Sequence, residues 1–174
     1  RNSLYGAGGD DTLIGSGSGI DIAYYKPAST SIYVDMNQTV QVVRDGDGGH
    51  DTLKDINEIY GSDYGDTFIG NGSDTLRGLA GNDTFYSGGG SNLYDGGADD
   101  DLFIITSKDH GVDTLIGGVG SDTVDFSGIS GLTTKGLEIT LNGNETVQAT
   151  LNDVGSHRLT GIENIIGTIY DDTI

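Results

Sequence analysis

The sequence predicts an all-β solenoid of short parallel strands, and three observations lead to this fold class. The 174 residues include 31 glycines and a single proline, and only 34% of them are hydrophobic, which is little for a compact core. A short unit recurs along the middle of the chain with a period of about nine residues. No segment has a sustained helical period with capping residues, whereas several short segments alternate apolar and polar side chains.

The acidic composition indicates metal ligands. The net charge is −19, and of the 27 acidic residues 23 are aspartate and four are glutamate. A merely solvated surface would use both residue types, whereas the short aspartate side chain suits tight turns and is a hard oxygen ligand for Ca²⁺. A halophilic or disordered acidic surface is the alternative interpretation of the composition. The charge argues against nucleic acid as a partner.

The absence of cysteine excludes disulfides and thiolate metal sites. A small extracellular domain without disulfides needs another stabilising element, and a bound metal is one of the available kinds. No apolar run approaches the ~20 residues of a membrane span, and no signal peptide opens the chain. Because the sequence starts and stops partway through its own units, we expect it to be an excerpt from a longer protein.

Each central repeat is anchored by one polar residue, which is Asp in all cases but one. The anchors are Asp66, Asp74, Asp83, Asn92, Asp101, Asp113 and Asp122, separated by 8, 9, 9, 9, 12 and 9 residues. Two residues after each anchor comes a large apolar residue: Phe68, Leu76, Phe85, Tyr94, Phe103, Leu115 and Val124. Glycines precede most anchors, most completely in GGVGSDTVD at 117–125, so the unit is GGxGxDxUx with U apolar.

This unit predicts a tight turn followed by a brief strand. The GGxGxD part needs positive φ values, which glycine adopts at little cost, and the remaining three residues suit a strand with one inward side chain. Two units then form one coil, so alternate units stack. One edge carries Asp66, Asp83, Asp101 and Asp122, and the other carries Asp74, Asn92 and Asp113. Stacked carboxylates repel one another, and Ca²⁺ accepts six to eight such oxygens, whereas Zn²⁺ favours His or Cys.

The nonapeptide resembles the RTX, or haemolysin-type, calcium-binding repeat of a parallel β-roll. This resemblance implies that each ion lies between turns of adjacent coils, bound by the anchoring side chains and by main-chain oxygens. The main-chain positions that match the family pattern are Gly78, Ala80, Asn82, Gly97, Asp99, Gly118 and Gly120. Asp99 stands where the pattern has glycine, which leaves the conformation of its turn open. The alternative role for each anchoring Asp is an Asx turn that caps its own backbone.

Further aspartates match the unit outside the central block. Asp11 and Asp21 are anchors of the same kind near the N-terminus, and Asp172 is one near the C-terminus. Asp51, in DGDGGHDTLKD, resembles an isolated half-repeat, and its acidic neighbours Asp45 and Asp47 either add a site or form a solvated turn.

The flanking segments repeat at a larger scale, with offsets of 101 to 106 residues. We therefore predict five segments: the end of a first roll at 1–25, a β-rich insertion at 26–60, the central calcium-binding roll at 61–126, a second insertion at 127–166, and the start of a further roll at 167–174. The insertions are predicted to form short strands, as hairpins that extend or interrupt the roll.

Catalytic motifs are absent from the sequence. The chain has no HExxH, no GxSxG and no GK[ST] after its glycine strings, so we expect no enzyme activity from this segment. The resemblance implies a secreted or cell-surface bacterial protein, exported by type I secretion, in which the roll is a calcium-dependent folding switch and spacer. The alternatives are an adhesin or surface-layer module that binds other copies, neighbouring domains or polysaccharide, and the repeat portion of an RTX protease, lipase or alginate epimerase. Tyr24, Tyr25, Tyr33 and Tyr60 are the candidates for a polysaccharide surface.

Overall fold

A computed structural model describes residues 1–38, 41–106, 111–129, 136–141, 146–151 and 155–174. Over this part of the chain the protein is all-β, with two nine-stranded sheets and no helix. The first sheet contains β1 (Asn2–Leu4), β3 (Asp21–Tyr24), β7 (Glu58–Tyr60), β9 (Thr75–Ala80), β11 (Leu93–Ala98), β13 (Thr114–Val119), β15 (Leu137–Leu141), β16 (Thr146–Leu151) and β17 (Gly155–Thr160). The second sheet contains β2 (Thr12–Ile14), β4 (Tyr33–Asp35), β5 (Gln41–Arg44), β6 (His50–Lys54), β8 (Thr67–Ile69), β10 (Thr84–Tyr86), β12 (Leu102–Ile104), β14 (Thr123–Asp125) and β18 (Asn164–Ile166).

Alternate nonapeptides form the two sheets, so the protein is a parallel β-roll. In the second sheet β8, β10, β12 and β14 pair in parallel, and Phe68, Phe85, Phe103 and Val124 share one register. In the first sheet β9, β11 and β13 pair in the same way. This confirms the predicted stacking of every second unit. The first-sheet strands of the central roll have six residues rather than three, because their pairing continues into the glycine turn.

One inward side chain per strand fills the space between the sheets. All seven apolar residues that follow the anchors are at most 1% exposed. The Phe85 ring stacks between Phe68 and Phe103, with centroid distances of 4.9 and 5.1 Å. Tyr94 approaches the same stack from the opposite sheet. The core is therefore a single column of side chains, and each coil depends on its two neighbours for burial.

The first insertion forms part of the second sheet and does not project from the roll. The three strands β4, β5 and β6 form an antiparallel meander. Its first strand, β4, pairs in parallel with β8 of the central roll, and its last strand, β6, pairs in parallel with β2 of the preceding roll. The sheet therefore continues through the insertion with one reversed strand.

The second insertion has the same topology on the other sheet. The strands β15, β16 and β17 form an antiparallel meander, and β17 pairs in parallel with β13. The first strand meets the next coil through a parallel bridge between Glu138 and Thr173. The extra residues of the 12-residue step, at 107–110, lie outside the described residues, as do parts of both meanders.

No helix among the described residues is long and apolar enough to cross a lipid bilayer.

Candidate calcium-binding edges

The turns between the sheets form a column of stacked acidic residues, which we call the carboxylate edge: Asp66, Asp83, Asp101, Asp122 and Glu163. The backbone N–H of each aspartate in the column donates to a carboxylate oxygen of the next coil. The four N···O distances, from Asp66 to Asp83, Asp83 to Asp101, Asp101 to Asp122, and Asp122 to Glu163, are 2.7, 2.9, 2.8 and 2.8 Å. The ladder fixes the orientation of each carboxylate and leaves its second oxygen available.

These second oxygens are buried without a partner. The Oδ2 atoms of Asp83, Asp101 and Asp122 accept no hydrogen bond, and all three residues are at most 2% exposed. None of the three forms an ion pair with a described residue. A buried polar atom normally has a partner, and a buried charge normally has a counter-charge. The uncompensated oxygens therefore indicate that a cation belongs at this edge.

Glycine at the first position of each turn makes room for these oxygens. A Cβ on Gly78 would lie 1.7 Å from Oδ2 of Asp83, and one on Gly96 would lie 2.0 Å from Oδ2 of Asp101. The Cβ position of Gly78 is also only 2.7 Å from the carbonyl oxygen of Gly96. Carboxylate and carbonyl oxygens of adjacent coils therefore converge where a side chain would otherwise stand.

Burial makes ionisation of these carboxylates unfavourable when no cation is bound. Desolvation raises the pKa of Asp83 to about 9, and the charges of Asp66 and Asp101 add to the rise. Desolvation also raises the pKa of Asp101 to about 7, with Asp122 contributing. The pKa of Asp122 is raised by the same cause. In the metal-free chain the folded edge therefore opposes the ionisation that the unfolded chain permits.

The opposite edge carries alternating charged and neutral residues, and we call it the amide edge: Asp21, Asn57, Asp74, Asn92, Asp113 and His157. Asn92 accepts the N–H of Asp74 through Oδ1 at 3.0 Å and donates through Nδ2 to Oδ1 of Asp113 and to the Gly89 carbonyl. Desolvation raises the pKa of Asp74 and of Asp113 only to about 6. Because neutral amides separate its carboxylates, the amide edge carries less uncompensated charge than the carboxylate edge.

The amide edge still offers one buried oxygen to a cation. Oδ2 of Asp113 accepts no hydrogen bond, and Nδ1 of His157 lies 3.6 Å from it. Asp74 differs, because its Oδ2 accepts the N–H of Asn71 at 3.3 Å.

Three other predicted anchors are already capped by hydroxyl residues. Asp66 accepts both the N–H and the hydroxyl of Ser62, at 2.7 Å each, in addition to the N–H of Ile32. Asp172 accepts the N–H and hydroxyl of Thr168 in the same way, at 2.8 Å each. Hydrogen bonds from Ser16 lower the pKa of Asp21. At these anchors the side chain has the geometry of a turn cap.

Three of the predicted main-chain positions present carbonyl oxygens to glycines of adjacent coils. The carbonyl oxygens of Asn82, Gly97 and Asp99 face Gly65, Gly118 and Gly120 of the adjacent coils, within 2.1 to 2.6 Å of the Cβ position of each glycine. Ala80 lies at the end of β9, paired with Ala98. Asp99 adopts the left-handed conformation of a glycine, with φ of 77°, and its Oδ2 accepts the N–H of Gly81.

Sequence reasoning missed three members of the edges. Glu163, Asn57 and His157 occupy anchor registers, as their pairing with Asp122, Asp21 and Asp113 shows. The INEI and IENI segments could have indicated two of these anchors, since Asn57 and Glu163 occupy equivalent positions within them. His157 lies in β17, the last strand of the second meander, and the length of the insertion hides its register.

The donor set fits calcium. Among the described residues no three Asp, Glu or His side chains converge closely enough to form a metal-binding group by themselves. Main-chain carbonyls must therefore complete any coordination shell, and Ca²⁺ accepts such mixed oxygen ligands in tolerant geometry. The fold and its edges define a parallel β-roll of the calcium-binding class.

A known repeat family matches parts of the chain. The family model of the RTX calcium-binding nonapeptide repeat matches residues 1–22, 68–103 and 110–127, in four copies. The chain therefore carries RTX calcium-binding nonapeptide repeats, and these repeats bind Ca²⁺. No curated protein sequence matches the chain significantly.

Solved structures with a similar arrangement include the extracellular lipase LipA from Serratia marcescens. The two share 18% sequence identity with a TM-score of 0.34, over 92% of this chain and 35% of the lipase chain. The chain thus spans about a third of the length of that lipase.

Proposed function

We propose that this segment is a calcium-dependent folding switch and spacer within a secreted or cell-surface bacterial protein, and that it is not itself catalytic. The observation that carries the proposal is the row of unpartnered Oδ2 atoms at Asp83, Asp101 and Asp122. We propose these residues as principal ligands, with Asp113 on the amide edge, while Asp66, Asp21 and Asp172 act mainly as turn caps. The same proposal divides the chain into rolls at 1–25, 61–126 and 167–174, separated by the two insertions.

The switch follows from linkage between metal binding and folding. The unfolded chain, with a net charge of −19, keeps its carboxylates apart and hydrated. The folded chain brings them together and buries them, so it gains from a ligand that the unfolded chain does not bind. Bound calcium supplies the positive charge that the buried carboxylates lack. Export through a low-calcium cytoplasm would keep the chain unfolded until it reaches calcium outside the cell.

Far-UV circular dichroism of the chain, titrated with calcium and then with a chelator, tests this function. We expect strand signal to appear with calcium and to disappear on chelation, while the same concentration of magnesium has little effect because Mg²⁺ retains its water. An unchanged strand spectrum after complete chelation would contradict the switch.

A second candidate function, polysaccharide binding by an adhesin, is favoured by a row of tyrosines on the outer face of the first sheet. The ring centroids of Tyr5 and Tyr24 are 5.3 Å apart, and those of Tyr24 and Tyr60 are 5.4 Å apart. Tyr25, one of the residues expected on such a surface, is instead buried. A glycan array probed with the wild-type chain and with Tyr24→Ala tests this function. Equal glycan binding by both proteins would exclude the tyrosine row as the polysaccharide-binding surface.

A further inference from the structure

A small pocket lies where the N-terminal coil meets the first insertion. It is bordered by Tyr5 directly after β1, by Tyr24 at the end of β3, and by Asp45 and Asp47 in the turn before β6. Its volume is about 70 Å³. Sites for drug-sized ligands have ~300 to 1,000 Å³, so this pocket admits only a small chemical group.

The walls of the pocket are mainly aromatic and apolar. The rings of Tyr5 and Tyr24 have centroids 5.3 Å apart and planes inclined at 64°. Tyr25, Pro27 and Ala28 border the same space. Tyr5 is 60% exposed, so a ligand can reach the pocket from solvent.

The polar groups of the pocket are acidic. Asp47 is exposed, whereas Asp45 is 1% exposed. Oδ1 of Asp45 accepts the N–H groups of Asp47 and Gly49, at 3.0 and 2.8 Å, and its Oδ2 accepts no hydrogen bond. None of the described residues that line the pocket is basic, and the nearby Lys26 pairs with Asp63 at 3.3 Å. The pocket therefore favours a ligand with positive charge.

Hydrogen bonds between the bordering segments form the pocket before any ligand arrives. The N–H of Ser29 donates to Oδ1 of Asp47 at 3.0 Å, and the hydroxyl of Thr30 donates to the Gly46 carbonyl at 2.6 Å. The N–H of Ala28 donates to the Tyr25 carbonyl at 2.9 Å and closes the turn after β3. A site that is already ordered requires little further ordering of the protein when it binds a ligand.

We propose that this pocket binds a quaternary ammonium group, such as that of choline. Tyrosine ring faces attract a cation within ~6 Å of the ring centroid, and methyl groups on the nitrogen match the apolar walls. The two carboxylates supply the opposite charge. A metal ion fits less well, because no three carboxylate or imidazole side chains converge among the described residues. The site is separate from the proposed calcium ligands, since neither Tyr5, Tyr24, Asp45 nor Asp47 is one of them.

The first test compares two ligands that differ in charge and hardly in shape. Choline and its neutral carbon isostere, 3,3-dimethylbutanol, are titrated into the calcium-loaded full chain, and the amide NMR signals of Ala7 and Ala28, which border the pocket, are followed. We expect choline to shift these signals saturably and the isostere to bind at least about tenfold more weakly. Equal affinity for the two ligands, or no shift at the pocket, would overturn the proposal.

The second test compares matched exposed tyrosines. Tyr5→Leu removes a wall of the pocket, whereas Tyr64→Leu removes a tyrosine that is 49% exposed and does not line it. We expect Tyr5→Leu to weaken choline binding about tenfold and Tyr64→Leu to keep the wild-type affinity. Wild-type affinity in Tyr5→Leu would contradict the assignment. The comparison of the two ligands on the wild-type chain still decides the matter where Tyr5→Leu does not fold.

A third test addresses the carboxylates. Asp47→Asn removes an exposed charge beside the pocket, and Asp55→Asn removes an exposed charge that does not border it. We expect choline binding to weaken several-fold in Asp47→Asn and to be unchanged in Asp55→Asn. Equal binding by both variants would overturn the role given to charge.

Sedimentation with phosphatidylcholine vesicles identifies the source of the ammonium group. Sedimentation of the wild-type chain, but not of Tyr5→Leu, would assign the group to a lipid head group. Saturable choline binding without sedimentation would assign it to a soluble compound. Both results support the site.

Discussion

Replacement of Asp83 by Asn should stabilise the calcium-free fold and weaken its response to calcium. A pKa of about 9 in the folded chain, against an ordinary 3.8 in the unfolded chain, opposes folding at pH 7 by about 4 kcal/mol, since each pH unit above 3.8 contributes about 1.4 kcal/mol. Because the folded pKa is raised, this group favours folding most below pH 4 and loses that contribution as pH rises towards 9. A neutral amide removes the penalty.

The amide of an asparagine at position 83 can also take part in the hydrogen bonds of the edge. The amide oxygen can still accept the N–H of Asp66. On the other edge the amide of Asn92, at the equivalent anchor position, donates through Nδ2 to the Gly89 carbonyl of its own turn. We therefore expect Asp83→Asn to raise the unfolding free energy in chelator by up to about 4 kcal/mol at pH 7 and by almost nothing at pH 4. The loss of a charged ligand should raise the calcium midpoint at least about tenfold.

Urea unfolding in chelator at the two pH values measures the first effect, and a calcium titration followed by circular dichroism measures the second. Asp55→Asn is the matched control, because Asp55 is exposed. The reasoning is refuted if Asp83→Asn destabilises the calcium-free chain at pH 7 and keeps the wild-type calcium midpoint.

Three other substitutions test separate parts of the site. Gly78→Ala places a Cβ 1.7 Å from Oδ2 of Asp83 and should raise the calcium midpoint more than tenfold, whereas Gly128→Ala meets no atom within 4 Å and should leave it unchanged. Ser62→Ala removes a hydroxyl donor from a capped anchor, so urea unfolding in calcium should show a loss of about 1 kcal/mol with no change in bound calcium. Asn92→Asp should lower the calcium midpoint while destabilising the chelated chain, and an unchanged midpoint would count against a charge deficit at that position.

The sequence predicted the central roll well because its repeat encodes both turn and strand. Glycine positions fixed the turns, and one apolar residue per unit fixed which side chain points inward, so the register of Phe68, Phe85 and Phe103 was recoverable from spacing alone. What spacing could not show was which anchors have free oxygens. Asp66 and Asp83 occupy equivalent positions, but Ser62 supplies the hydroxyl bond that Asp83 lacks.

The insertions were harder to predict because alternation gives strands but not their partners. The pattern of β4, β5 and β6 fits an exposed hairpin as well as a meander within the sheet, and only tertiary pairing distinguishes the two. For the same reason Tyr25 was assigned to the surface. Its burial depends on the long-range approach of Asp51, 26 residues away along the chain.

The most direct test of the central claim is the far-UV circular dichroism of the calcium-free chain as a function of pH. If buried, uncompensated carboxylates prevent folding, acid should replace calcium, because protonation removes the same charge. The account predicts strand signal near pH 4 that falls as pH rises through 6 to 9, the range set by Asp74, Asp113, Asp101 and Asp83, while calcium keeps the signal constant between pH 6 and 9. A calcium-free chain that is equally folded at pH 4 and pH 9, or that gains structure as pH rises, would contradict it.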